Sequence, residues 1–327
     1  MSARRKHALL CGLVMSTVSA GAAAQQDYPN KPIRYITPFA PGGSQTVLAR
    51  LIGNRLTEAW GQQVIVDNRP GANTIIGTNL ALKSRPDGYT LVSLGNALAG
   101  NHTLFKTPYD ATKDITPIAT VLTYENVLVV TPSLPVNTVA DLIALAKAKP
   151  GYLTYGTSSA GGSTHLLAEL LNTVAGIKTQ HIPYKGGGPA VVDLMGGHIH
   201  FFFSNPVNVV AQVKAGRLRA IAVTGQSRVA AFADAPTFAE AGLPAITLTN
   251  WQGVGGPAGI PKPIVDKISA EIAKLVALPS TKEIFTLQGF EPYYNNPART
   301  GELIREDISR YAKIIKDANI KVESYEK

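Results

Sequence analysis

Short runs of β-branched and aromatic residues alternate with helix-patterned stretches, and this alternation limits the possible fold more than any other feature. Strands are expected at Ile33–Ile36, Val64–Val66, Thr90–Val92, Val127–Val130, Leu153–Tyr155, His200–Phe203 and Leu218–Val223. Between them apolar residues recur at helical spacing. Val47, Leu48, Leu51 and Leu56 share one face, and Leu166, Leu167, Leu170 and Leu171 mark another helix. Thr138 opens a capping box with Asp141 ahead of Leu142, Leu145 and Ala146. Ile264, Ile268, Ile272 and Leu275 form a helix entered through Pro263. A last one carries Leu303, Ile304, Ile308, Tyr311 and Ile315. Strand–helix alternation of this kind predicts α/β sheets. The length suits about two domains, and an apolar content of 45% supplies their cores.

The first residues do not belong to that pattern. Arg4, Arg5 and Lys6 precede an apolar stretch from Ala8 to Val18, and Ala22, Ala23 and Ala24 follow. This is the order of a secretory signal peptide, with cleavage expected after Ala24 and export to the periplasm. The apolar run is shorter than the ~20 residues needed to span a bilayer. Cys11 is the only cysteine and lies inside this segment, so the mature chain uses neither disulfides nor thiol chemistry. Losing the three cations lowers the formal charge from +9 to +6. The remaining basic residues are scattered, which argues against nucleic-acid binding and suits long-range attraction of small anions.

In open α/β sheets ligands bind beyond the carboxyl ends of strands, where helices begin. Two such loops stand out. Pro38-Phe39-Ala40-Pro41-Gly42-Gly43-Ser44 follows the first strand; its glycines permit close approach, and the helix after it offers free N–H groups. Gly156-Thr157-Ser158-Ser159-Ala160-Gly161-Gly162-Ser163-Thr164-His165 supplies hydroxyls and a second helix start. Each makes a cradle for a carboxylate.

Other motifs lead elsewhere and are incomplete. Gly156-Thr157-Ser158-Ser159-Ala160 lacks the last glycine of a nucleophile elbow, and His165 is expected to pair locally or face solvent. Gly253-Val254-Gly255-Gly256-Pro257-Ala258 loosely matches a dinucleotide fingerprint, but Pro257 and Pro261 oppose a helix start there. Gly186-Gly187-Gly188-Pro189 lacks the end of a phosphate loop and reads as the entry to a helix at Ala190–Met195. His181, His198 and His200 form no helical metal pair, so neither a metal nor a cofactor is expected.

The chain resembles the periplasmic substrate-binding proteins of tripartite tricarboxylate transporters, the Bug family. The resemblance is carried by Pro38–Gly43 with Leu48-Ala49-Arg50, Asn68–Ala72, Pro86–Leu91 and Ser158-Ser159. It continues through Gly162-Ser163, His165-Leu166, Tyr184–Gly186, Gly188–Ala190, Gly216–Arg219 and Pro257–Gly259. It implies a two-lobed, Venus-flytrap fold of the type II-like periplasmic-binding-protein class with a ligand cleft between the lobes. Crossings are expected near Val127–Thr131 and Thr247–Trp251. Lobe one would then be 25–130 with 250–327, and lobe two 131–249. It implies a monomer that captures an organic anion, a di- or tricarboxylate or an aromatic acid, for membrane permease subunits, without catalysis.

The expected ligand contacts are Phe39, Ala40, Gly42, Gly43, Ser44 and Thr46 from the first loop. Thr157, Ser158, Ser159, Ser163 and Thr164 come from the second. Ala72, Asn73 and Asn96 follow other strands, and Phe203, Ser204 and Asn205 end another. Phe39, Tyr184, Phe203 and Trp251 offer flat apolar walls. Thr46 and Ser204 stand where the family has acids, which removes negative charge and disfavours a ligand amine. Two alternatives are a hydrolase using Ser158 or Ser159 and a sensory protein presenting its ligand to a receptor.

Overall fold

Ile33–Thr37 (β1) is apolar at three of its five positions and buried at four because both of its faces are covered, as in parallel sheets generally. In this computed structural model, which describes residues 28–317, β1 lies between two parallel neighbours, Val64–Asn68 (β2) and Thr90–Gly95 (β3). The crossovers carry helices Ser44–Trp60 (α1) and Ile75–Leu82 (α2), and Ala97–Leu104 (α3) follows β3. The expected signal segment lies outside the described residues. Ile115–Glu125 (β4), Thr249–Pro257 (β10) and Phe290–Asn295 (β11) complete a six-stranded sheet ordered β11-β4-β10-β3-β1-β2.

The second sheet has five strands. Val127–Val130 (β5), Thr154–Thr157 (β6), Gln180–Pro183 (β7), Phe201–Ser204 (β8) and Arg219–Val223 (β9) are ordered β7-β6-β8-β5-β9. Its helices are Val139–Ala148 (α4), Ser163–Ala175 (α5), Gly187–Met195 (α6) and Pro206–Lys214 (α7). Lys262–Ala277 (α8), Pro279–Leu287 (α9) and Pro297–Asp317 (α10) follow β10 and flank β11. Thr138 and Asp141 make the expected capping box on α4. Among the described residues no helix is long and apolar enough to cross a membrane.

The sheet pairing moves one expected boundary. Val127–Val130 is expected at the end of lobe one, yet β5 pairs antiparallel with β8 and β9 of the second sheet. All four of its residues are buried there. The first crossing is therefore Glu125–Asn126, and the chain returns at Leu248–Thr249. Thr224 holds these two segments together: its hydroxyl accepts from the Asn126 N–H at 2.9 Å and donates to the Leu248 carbonyl at 3.0 Å. Asn250 Nδ2 adds a bond to Asn126 Oδ1 at 2.6 Å.

A third connection comes from α10. Its Ile304 packs with Trp251, Leu98 and Tyr109 of the first sheet's side. Two to three turns later Tyr311 and Ile315 join the core of the second sheet, with Tyr155, Phe201 and Leu167.

Strand β10 holds the dinucleotide-like glycines, and their role is packing. A Cβ on Gly253 would lie 2.5 Å from the Ala119 carbonyl oxygen, and one on Gly255 would lie 2.8 Å from Leu94 Cδ1. Only glycine lets this strand sit between β4 and β3. Gly253→Ala is therefore expected to destabilise the fold by about 1–3 kcal/mol, the scale of an overpacked core. A lower urea midpoint with an unchanged denaturant slope would register it.

Candidate functional site

The carboxyl ends of strands from both sheets face each other across a cavity of about 70 Å³. Six helices begin at its wall. Gly43, Thr74, Asn96, Gly162, Gly186 and Asn205 precede α1, α2, α3, α5, α6 and α7 respectively, and all six line the cavity. None of the six has a side-chain cap. Helix α4, which starts away from the cavity, has a complete one. In α1 and α5 the first intrahelical bonds are made by Thr46 and His165, so the N–H groups of Ser44, Gln45, Ser163 and Thr164 come before them. Such groups carry the positive end of the helix dipole.

No Lys, Arg, Asp or Glu lines this cavity among the described residues. Its polar atoms are amides, hydroxyls and backbone. Ser44 Oγ accepts from Gln252 Nε2 at 2.8 Å and from Asn205 Nδ2 at 3.0 Å, which leaves its own proton to point inward. Burial pushes the Tyr124 phenol up to about 12, so it stays an O–H donor. Gln45 Oε1, Asn205 Oδ1 and Gln252 Oε1 are buried without a protein partner. Buried polar atoms of this kind are ordinarily satisfied by ligand or ordered water.

The first loop contributes Phe39, Ala40, Gly43 and Ser44 to the lining. Gly42 stands apart from it; its φ of +88° makes the turn that precedes the helix. Thr46 also lies outside the lining. Its hydroxyl accepts from Asn68 Nδ2 at 2.8 Å, and the same nitrogen donates to the Phe39 carbonyl at 2.9 Å. Thr46 thus braces the loop from below and leaves the charge of the cavity unaffected.

Ser158, Ser159, Ser163 and Thr164 line the cavity from the second sheet's side. The Ser158 and Thr164 hydroxyls are 3.2 Å apart. Thr157 lies behind, paired with His181 Nε2 at 2.7 Å. His165 is buried and pairs locally: Nδ1 accepts the Gly161 N–H at 2.9 Å, and its ring stacks on His181 at 4.2 Å. Burial lowers both imidazoles to about 4, and each histidine is neutral at pH 7.

Four further expected contacts are placed elsewhere. Phe203 points into the core and stacks on Phe238 at 5.6 Å, because the last β8 residues are covered on both faces. The Ser204 hydroxyl donates to the Asn205 carbonyl at 3.0 Å and is buried outside the cavity. Ala72 and Asn73 line a neighbouring chamber with Tyr184. Asn205 lines the cavity itself, as does Trp251. Asn96 does too, but its side chain is committed: Nδ2 donates to Asp307 Oδ2 at 2.8 Å, and Oδ1 accepts the Trp251 N–H at 3.1 Å. Trp251 Nε1 reaches the same Asp307 oxygen at 2.8 Å.

Sequence reasoning missed Gln45, Ser93, Asn208 and Gln252, which have no motif. It also missed Gly186 and Gly187 as wall residues, although their place at a helix entry is legible. Gly186 packs 3.5 Å from Ala40 measured from a built Cβ, and the Ala40 N–H donates to the Lys185 carbonyl at 3.3 Å across the cleft. Among the described residues no three His, Cys, Asp or Glu side chains are grouped to hold a metal.

Two α/β lobes, joined at Asn126 and Leu248–Asn250 and facing one cavity at their strand ends, define a solute-binding protein of the Venus-flytrap class. The chain matches the tripartite tricarboxylate transporter family receptor over residues 48–320, and it belongs to that family. Protein BugT of Bordetella pertussis is 35% identical over 315 residues, covering 95% of this chain and 97% of its own. The structure of Rhodopseudomonas palustris Rpa4515 with adipate superposes with a TM-score of 0.88 at 34% identity, covering 90% of this chain and 99% of that one. MatC of the same organism, with bound malate, gives 0.84 at 26% identity over 88% of this chain and all of its own.

The two histidines set an acid limit. Their folded values of about 4 lie below the ordinary 6.5, so between these values the unfolded chain binds more protons. Their stabilising share is complete above pH 6.5 and is lost as the pH falls toward 4. The melting temperature should drop over that interval, and His181→Phe should flatten the drop. Asp307, 1% exposed, anchors two cavity residues. Asp307→Ala strands their donors and should cost on the order of 3 kcal/mol in chemical denaturation.

Proposed function

We propose that this receptor captures a small organic carboxylate between its lobes in the periplasm and delivers it, chemically unchanged, to the permease subunits of a tripartite tricarboxylate-type transporter. The observation that carries the reading is the convergence of six uncapped helix starts on one cavity without charged side chains. A carboxylate leaves water only if oriented donors replace its hydration. Free N–H groups at helix starts do this, with helix dipoles aligned toward the anion. Adipate and malate in related structures are both carboxylates.

In this reading, Ser44 and the N–H groups of Ser44 and Gln45 hold one side of the ligand. Ser158, Ser163 and Thr164 hold the other, with Phe39, Ala40, Gly43, Ser159 and Asn205 closing the walls. Donors from both lobes give the closed form its greater affinity, and this difference drives closure. The moving bodies are 28–125 with 249–317, and 127–248, hinged where Thr224 joins Asn126 to Leu248. The protein works as a monomer after removal of 1–24, and an intact-mass measurement on exported protein should begin at Gln25. Binding without turnover is supported by the Ser158 hydroxyl facing Thr164, with His165 Nδ1 engaged by the backbone.

Gly43 permits a clean test. Its φ of −84° is ordinary, and a built Cβ meets only the Ala40 carbonyl oxygen, at 3.9 Å. Gly43→Val should therefore fold normally yet intrude on the carboxylate site. Calorimetry with malate and adipate should show affinity reduced by about tenfold or more, equivalent to losing one charge-assisted hydrogen bond. Wild-type affinity for both acids in this variant would remove the α1 start from the binding site.

A further inference from the structure

Beside the small cavity lies a chamber of about 760 Å³, sharing Pro38, Phe39, Thr74, Ser158 and Ser159 with it. It persists although the lobes touch on two sides of it. On one side the Ala40 N–H bonds the Lys185 carbonyl at 3.3 Å. On another, a Cβ built on Gly161 would lie 2.6 Å from Leu104 Cδ1 and 3.5 Å from Phe105. The space is thus flanked by contacts between lobes, opens to solvent and shares a wall with the carboxylate cavity.

Its walls differ in chemistry from the inner cavity. Pro70, Ile75, Leu104, Phe105 and Pro183 make them largely apolar. Lys106 from the first lobe and Lys185 from the second are the only charged side chains on them among the described residues. One wall is also conformationally costly. Ala72, Asn73 and Thr74 have φ of 40°, 56° and 75°, three consecutive non-glycine residues in the left-handed region. Such conformations persist only when the surroundings enforce them, and they gather at ligand sites. Here buried Asn101 enforces them, donating to the Asn73 carbonyl at 2.7 Å and to Thr74 Oγ1 at 2.9 Å.

We infer that the ligand is an elongated dicarboxylate: one acid group sits in the inner cavity, an apolar body crosses the outer chamber, and the second acid group meets Lys106 and Lys185 from opposite lobes. This rests on the carboxylate-receptor reading above and narrows it from small acids in general to long ones. The division of labour follows from desolvation. The inner acid group is stripped of water and met by fixed donors, whereas the outer one stays near solvent and needs only flexible cations.

The test is calorimetry with straight-chain α,ω-dicarboxylates from four to ten carbons and with monocarboxylates of matched length. Affinity of the dicarboxylates should rise along the series by up to about fourfold per buried methylene. A double variant, Lys106→Ala with Lys185→Ala, should weaken the long dicarboxylates by about tenfold and change monocarboxylates less than twofold. Both lysines are exposed, so folding should be unaffected. Four-carbon acids binding as tightly as longer ones, or a double variant that treats mono- and dicarboxylates alike, would overturn the inference while leaving the carboxylate receptor standing. Absence of binding by any acid would overturn the receptor reading itself.

Discussion

An anion can be buried only where something replaces its water, and this protein supplies the replacement from main chain. The cavity at the strand ends receives the starts of six helices, so each βα connection brings N–H donors and a dipole to the same point. This requirement shapes the local sequence. Side-chain caps are missing where a cap would compete with ligand, and glycines stand at Gly43, Gly162 and Gly186. Helix α4, free of that requirement, begins with an ordinary capping box. The surrounding amides act in support, since Asn205 and Gln252 turn Ser44 into a directed donor.

The same site is tied to the connections between the two sheets. Asp307 of α10 fixes Asn96 and Trp251 in the cavity wall, and Arg310 three residues on is paired with Asp307. Arg310 also reaches the Thr249 carbonyl at 3.4 Å, where the chain re-enters the first sheet. Tyr311 is fully buried in the second sheet's core. The C-terminal helix therefore joins the cavity wall, the hinge and the second lobe over little more than one turn, and a change in the angle between lobes is felt directly beneath Trp251.

Much of the frame is readable from the residues. Val127–Val130 is a strand with the expected bounds, and the two glycine-rich loops do face one cavity, because strand–loop–helix order determines which ends meet. What escapes is hidden by packing. β10 reads Thr-Asn-Trp-Gln-Gly-Val-Gly-Gly-Pro, a poor strand by propensity, yet its glycines are what let neighbouring strands close on it. Phe203 and Ser204 fall outside the cavity because alternation along a strand covered on both faces does not say which face is the site. Thr46 departs from expectation because a residue two positions into a helix already points back under the loop that precedes it. Gln45 and Gln252 carry no local signature; only the fold brings positions 45, 205 and 252 together.

Among the described residues, the inner cavity contains a single titratable lining group, Tyr124, and burial holds it protonated through the neutral range. Loading a fully ionised acid there consequently exchanges no protons between protein and solvent. The inner cavity's share of the heat of binding is then independent of the buffer's own ionisation. An inner cavity that used histidine as its counter-ion would add its own titration to that share. One that relies on peptide dipoles works as a fixed-field trap, indifferent to neutral-range acidity until its ligand, or the stacked histidines behind the second loop, take up a proton.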